Sequence, residues 1–136
     1  MPKSLSSILI ETTKQKTRKD KIDFLRKNTN GSLNKIIQMT YDPEVKFLLP
    51  EGEPPYVPSK FDEPGNLYKE IRRLYLFVEG GNPNLTAAKR EDRFIELLEF
   101  VDAEDAKLLL GMKDGKLPYP GLSEKFMQEA LPELFN

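Results

Sequence analysis

The sequence contains no cysteine and no histidine. Without cysteine there are no disulfides and no thiolate chemistry, and secretion gains no support. The missing histidine removes the commonest general base near neutral pH and the commonest transition-metal ligand. Ser-His and Cys-His catalysis are excluded, and no zinc site is expected. Carboxylates remain, 22 Asp and Glu in 136 residues, but most of them read as solvated helix charges. Long apolar runs are missing too. None approaches the roughly 18 residues of a membrane span. The apolar stretch within "MPKSLSSILIETTK" is too short and too polar for a signal peptide. No long alternating β pattern and no internal repeat occurs. These absences predict a cytosolic, non-enzymatic protein with no cofactor, no metal and no membrane contact.

What is present supports a folded chain. The length favours one domain over residues 1–136, and eight Phe and five Tyr supply core volume. The net charge of −1 hides an asymmetry. Residues 1–48 carry ten Lys and Arg against five acids, whereas residues 49–136 carry eleven against seventeen. One basic end and one acidic end can place an anionic partner on one side, although ordinary surface charge gives the same composition.

Apolar residues recur at helical spacing along most of the chain. Ser4 caps a first helix with Leu5, Ile8 and Leu9 on one face, and Thr17 caps a second with Ile22 and Leu25 inward. After the turn "NTNG", Leu33, Ile36, Ile37, Thr40 and Tyr41 form a third stripe. Asp42-Pro43 suits a new helical start, so "EVKFLL" is predicted to be a short helix. "NLYKEIRRLYLFVEGG" reads as one helix with Leu67, Ile71, Leu74, Tyr75 and Val78 inward, stopped by Gly80-Gly81. Phe94, Leu97, Leu98 and Val101 mark the next, and Asp102 is placed as the N-cap of another that Gly115 closes. Ser123 caps the last, which Pro132 ends. The predicted fold is all-α: a compact bundle of six or seven short helices with one long proline-rich loop. That surface loop spans residues 50–64, with five prolines in fifteen residues and no period. Tyr56, Val57 and Phe61 either pin it to the protein's own core or serve as anchors for a partner protein.

Three motifs bear on function. Lys113-Asp114-Gly115 is a near-miss of the Lys-x-Asp-Gly signature of nucleotidyl-transferring ligases. The spacing residue is missing, and lysine followed by glycine at a helix C-terminus is ordinary capping, so the turn is the better reading. Gly80-Gly81-Asn82-Pro83-Asn84 lacks the strand and the Gly-Lys-Ser/Thr of a phosphate cradle and reads as a helix-to-helix loop. The cluster Lys14, Lys16, Arg18, Lys19 and Lys21, among Thr12, Thr13, Gln15 and Thr17, is a candidate for phosphate contacts or else a solvated helix face.

The stretch "TTKQKTRKDKIDFLRKNTNGSLNKIIQMTYDPEVKFLLP", residues 12–50, resembles the start of the helical N-terminal DNA-binding domain of ATP-dependent DNA ligases from tailed phages. The end of the chain resembles it too, through Lys113, Gly121, Leu122, Ser123 and "LPEL", residues 131–134. Small stand-alone phage proteins resemble this closing segment more closely than the ligases do. The resemblance implies a helical bundle that grips duplex DNA through its backbone and minor groove, encoded by a phage and acting in a bacterial host cytoplasm. It assigns DNA contacts to Lys14, Lys16, Lys113 and Ser123, to which the neighbouring Arg18, Lys19, Lys21 and Lys116 are added. The adenylation domain has no counterpart here, so ligase activity is not implied. Against DNA binding stand the Leu117-Pro118-Tyr119-Pro120 turn and the acids of residues 94–136, nine against four bases. The alternative is a protein-binding adaptor or inhibitor of a host or phage protein. It would use the proline loop and the acidic side, with most DNA affinity lost.

Overall fold

The computed structural model describes residues 3–135. Helix α1 spans Leu5–Thr13, α2 Arg18–Asn28, α3 Gly31–Tyr41, α4 Asn66–Glu70, α5 Ala87–Phe100, α6 Ala103–Asp114 and α7 Glu124–Ala130. Two 3-10 helices, Ile71–Phe77 and Pro132–Leu134, complete the set. The fold is all-α, and its one β feature among the described residues is an isolated antiparallel bridge between Phe47 and Val78.

Local chemistry starts the helices. Ser4, Thr17, Asn30, Thr86 and Ser123 each accept from a backbone N–H three residues on, at 2.9–3.3 Å. Each such cap stabilises its helix by about 1 kcal/mol. Packing then arranges them. Helix α6 touches α1, α3 and α5. Ala106, Leu108, Leu109 and Met112 are buried along it, so it presents apolar side chains in several directions and occupies the middle of the bundle. Phe94 and Phe126 are the largest fully buried side chains, and Phe77 meets the Phe94 ring edge-on at 5.2 Å.

Helix α6 ends as a left-handed glycine cap. Gly115 has φ +78°, the Lys116 N–H bonds the Gly111 carbonyl and the Gly115 N–H bonds the Met112 carbonyl. The chain then folds back so tightly that a Cβ on Gly111 would lie 2.7 Å from the Lys116 carbonyl oxygen and 2.6 Å from Pro118 Cδ.

Four expectations from the sequence need correction, in whole or in part. "EVKFLL" is not a helix. Asp42 Oδ1 accepts from the Glu44 N–H in a tight turn, and the segment continues extended. Leu48 N–H bonds the Phe77 carbonyl, and Glu79 N–H bonds the Lys46 carbonyl, both at 2.8 Å. The segment 66–81 is not one α-helix: after α4 it tightens to 3-10 geometry with three residues per turn. That period aligns Ile71, Leu74 and Phe77, so Phe77 is buried and Tyr75 is exposed instead of inward. Asp102 stands at the N-cap of α6 as expected, but its side chain makes no cap to that helix; its carboxylate accepts the Glu63 N–H of the proline loop instead. In that loop Tyr56 packs against the core, whereas Val57 and Phe61 are 68% and 75% exposed and pin nothing.

The two helical glycines give a paired test. Gly111→Ala should lower stability by about 2 kcal/mol or more in chemical denaturation, because overlap with backbone outweighs the roughly 1 kcal/mol propensity gain. Gly31→Ala, where nothing lies within 4 Å of the added Cβ, should be neutral or stabilising. Equal effects would mean that the turn after α6 is not tight.

Candidate nucleic-acid interface

The basic cluster sits on the corner between α1 and α2. Helix α1 closes when the Lys14 and Gln15 N–H groups bond the carbonyls of Glu11 and Thr12. Thr17 then starts α2. The intervening turn leaves Lys14 and Lys16 exposed, α2 adds exposed Arg18 and Lys19, and Lys21 is half-buried. The neutral polar residues among them are already used by the fold. Thr12 Oγ1 donates to the Ile8 carbonyl, Thr13 Oγ1 to the Ile10 carbonyl, and Gln15 Nε2 to the Glu11 carbonyl. Thr17 Oγ1 accepts the Asp20 N–H.

The cations divide into free and engaged. Among the described residues, no carboxylate forms an ion pair with Lys14, Lys16, Lys19 or Lys21. Arg18 points across to α7. Its Nε and Nη2 donate to Glu129 Oε2 at 2.9 and 2.6 Å, and its guanidinium lies 5.4 Å from the Phe126 ring centroid. Arg26, further along α2, donates to the Ala130 carbonyl and lies 3.9 Å from Glu133. The α7 side of α2 is thus neutralised, and the α1 side is not. An exposed pair such as Arg18–Glu129 contributes about 1 kcal/mol or less, so a phosphate can compete for that guanidinium.

The C-terminal candidates separate. Lys113 is turned inward, its side chain 2% exposed, with Nζ donating to the Pro50 carbonyl at 3.0 Å and to Asp114 Oδ1 at 2.5 Å. Its ammonium fastens the proline loop to α6, beside acidic clefts that also contain Glu51. Lys116 is exposed and shares a cleft of about 590 Å³ with Tyr41, Tyr119 and Ser123. The Ser123 hydroxyl is taken up by capping α7. The link to the basic corner is indirect: Ser123 starts the helix whose Phe126 and Glu129 hold Arg18. Partner candidates Tyr56, Val57 and Phe61 lie elsewhere, beside the end of α5 and the start of α6. There the Val57 N–H donates to Glu99 Oε2 at 2.7 Å.

Sequence reading missed the group that positions α1. Asp105, fully buried on α6, accepts the Ser6 N–H with Oδ1 at 2.9 Å, capping the N-terminus of α1 from another helix. Its Oδ2 has no hydrogen-bond partner, nor does the buried Tyr119 hydroxyl. Burial pushes the Asp105 carboxyl above the usual carboxylate range, against the lowering effect of the Ser6 hydrogen bonds, and Asp102 and Glu104 add to the rise. Tyr119 is raised by burial and then by the Asp105 and Glu104 charges. An aspartate flanked by Glu104 and Ala106 reads as first-turn charge; burial was its only distinguishing property.

No helix among the described residues is long and apolar enough to cross a membrane. No group of three or more acidic side chains among them is placed to hold a metal ion. The chain belongs to DUF6433, a family of unknown function, whose profile matches residues 8–119. No curated protein and no solved structure matches the chain.

The raised carboxyl pKa fixes a sign. Asp105 contributes stability that is fully present below its unfolded pKa, near 4, and is lost as pH rises through its folded value. Asp105→Asn keeps an acceptor for Ser6 and removes the charge. Its stability relative to the parent should therefore rise between about pH 4 and pH 7. Asp105→Ala removes the acceptor from the Ser6 N–H and should be about 1–2 kcal/mol less stable than Asp105→Asn at either pH, because neither replacement titrates. Urea unfolding of the three proteins at both pH values checks this; a parent–Asn difference independent of pH would mean that the carboxyl titrates normally.

Proposed function

We propose that the protein is a non-catalytic duplex-DNA-binding module, phage-encoded and active in the cytoplasm of a bacterial host. It contacts phosphate through the α1–α2 corner. The single observation that carries this reading is the set of four lysines there, Lys14, Lys16, Lys19 and Lys21, with no carboxylate partner among the described residues. Unpaired lysines on a polar corner suit a ligand read as a row of charges, because ammonium groups neutralise phosphates without needing base edges. The turn between the helices spaces Lys14 and Lys16 ahead of Lys19, so the charges follow the chain around a bend instead of crowding on one face. The resemblance of residues 12–50 to the phage ligase domains supports the same surface.

Arg18 joins this surface when phosphate displaces Glu129, whereas Lys116, in the cleft with Ser123 and Glu124, stays outside it. Lys113 is left out, since its ammonium is buried between Pro50 and Asp114. Ser123 acts by holding α7 in place. The acids of α7 confine the DNA to the α1 side of α2 and keep affinity modest and strongly salt-dependent.

A duplex titration across salt concentrations tests the reading. Each phosphate contact contributes about 0.9 to the log–log slope, so Lys14→Glu, Lys16→Glu and Lys19→Glu together should flatten it by up to about 2.7. Lys113→Met should leave duplex affinity unchanged while raising amide exchange through the first residues of the proline loop. Absence of duplex binding by the parent at low salt, or an unaltered slope in the triple variant, would overturn the proposal.

A further inference from the structure

On another face, the proline loop offers a surface that the DNA reading does not use. Val57 and Phe61 are 68% and 75% exposed, and Phe100, at the end of α5, is 44% exposed. Isolated exposed apolar residues are ordinary, but the loop that carries Val57 and Phe61 is fixed beside the end of α5 and the start of α6. Val57 N–H is bonded to Glu99, the residue before Phe100. Phe61 is fixed by its own turn, in which its N–H donates to Ser59 Oγ at 3.2 Å. Phe61 and Asp62 line a groove of about 470 Å³ with Asp102, Ala103 and Glu104. Just beyond, the Glu63 N–H is tied to Asp102, and the Phe100 carbonyl accepts from Asn66 Nδ2.

Phe100 lines a separate cleft with Arg73 and Arg93, but the charge around Val57 and Phe61 is mostly negative. Glu53, Asp62, Glu63, Glu99, Asp102 and Glu104 lie near them. Two ammoniums stand against them, Lys60 and Lys107, and Lys107 is already paired with Glu104 at 3.1 Å. Burial pushes the Tyr56 phenol up and Glu53 adds to the rise, whereas Lys107 opposes it and Glu104 adds least. An apolar centre within an acidic rim is complementary to a segment that alternates apolar and basic residues. A loop stiffened by Pro54, Pro55 and Pro58 loses little freedom when its aromatics dock.

We propose that the Val57–Phe61 surface is a docking site for a Lys/Arg-rich, apolar segment of a partner protein. Phe61 is the central anchor, Val57 flanks it, and the surrounding carboxylates select the positive charge. The site is independent of the basic corner, so the two surfaces permit DNA and a protein to be held at once.

The test uses the full chain and three synthetic peptides: Lys alternating with Leu, Lys with Ser, and Glu with Leu. The Lys/Leu peptide should bind at one saturable site, weaken with salt, and shift the amide resonances of Val57 and Phe61. The other two should bind at least about tenfold more weakly. Val57→Ser with Phe61→Ser should keep the parent's melting temperature and lose at least about tenfold in Lys/Leu affinity. The inference is overturned by any of four results: no binding of the Lys/Leu peptide, equal binding by the double variant, equal binding of the Glu/Leu peptide, or resonance shifts confined to other faces. It is also overturned if sedimentation shows a dimer that the double variant abolishes, because the occupant would then be a second copy of the chain.

Discussion

One buried carboxylate, with no counter-ion among the described residues, joins the first helix to the sixth. Asp105 satisfies the Ser6 N–H at the start of α1 from the first turn of α6, across 99 positions of sequence. The ion is costly to bury, and a single short hydrogen bond offsets part of that cost. What it secures is direction. With its N-terminus fixed to the central helix, α1 delivers its C-terminus, and the lysines that follow it, to a defined corner. The other surfaces depend on the same helix. Near its start Asp102 holds Glu63, and near its end Lys113 holds Pro50. The proline loop is thus tethered at both of its ends to α6 by charged side chains that grip backbone groups.

This arrangement explains why a chain with almost no net charge carries two surfaces of opposite sign. Arg18–Glu129 binds α2 to α7, Arg26–Glu133 binds it to the 3-10 helix that follows, and each pair cancels locally, leaving the lysines of the α1–α2 corner unpaired. Composition registers only the sum, so the separation becomes visible when the paired residues are removed from each set.

The helices and most of their caps were legible in the sequence, because Ser4, Thr17 and Ser123 act within three residues of themselves. The failures have two physical sources. The first is a change of period. Through 44–50 every second residue is exposed, with Val45, Phe47 and Leu49 inward; this is a two-residue rhythm that Asp42-Pro43 disguised as a helix start. Through 71–77 the period is three, which replaces Tyr75 with Phe77 in the core. The second source is the use of a side chain at long range. Asp102, Asp105 and Lys113 look like ordinary terminal charges of α6, and only the packed partner reveals what each one binds. The exposure of Phe61 belongs here too: an aromatic among prolines reads equally well as a core pin or as an outward anchor, and the neighbouring Tyr56 supplies the pin.

The double tether of the proline loop has a consequence for how such a protein can change. Pro50 and Glu63 are both fastened to α6, so the stretch between them leaves the bundle and returns to it at fixed points. Lengthening a closed loop is inexpensive: doubling it costs only about 0.6 kcal/mol in chain entropy. Residues 51–62, Tyr56 apart, can therefore be rewritten as a cassette, with new side chains and new flanking charges, while the helices keep their packing and the basic corner its shape. Loop chemistry and fold stability are separable traits in this architecture, free to diverge at different speeds.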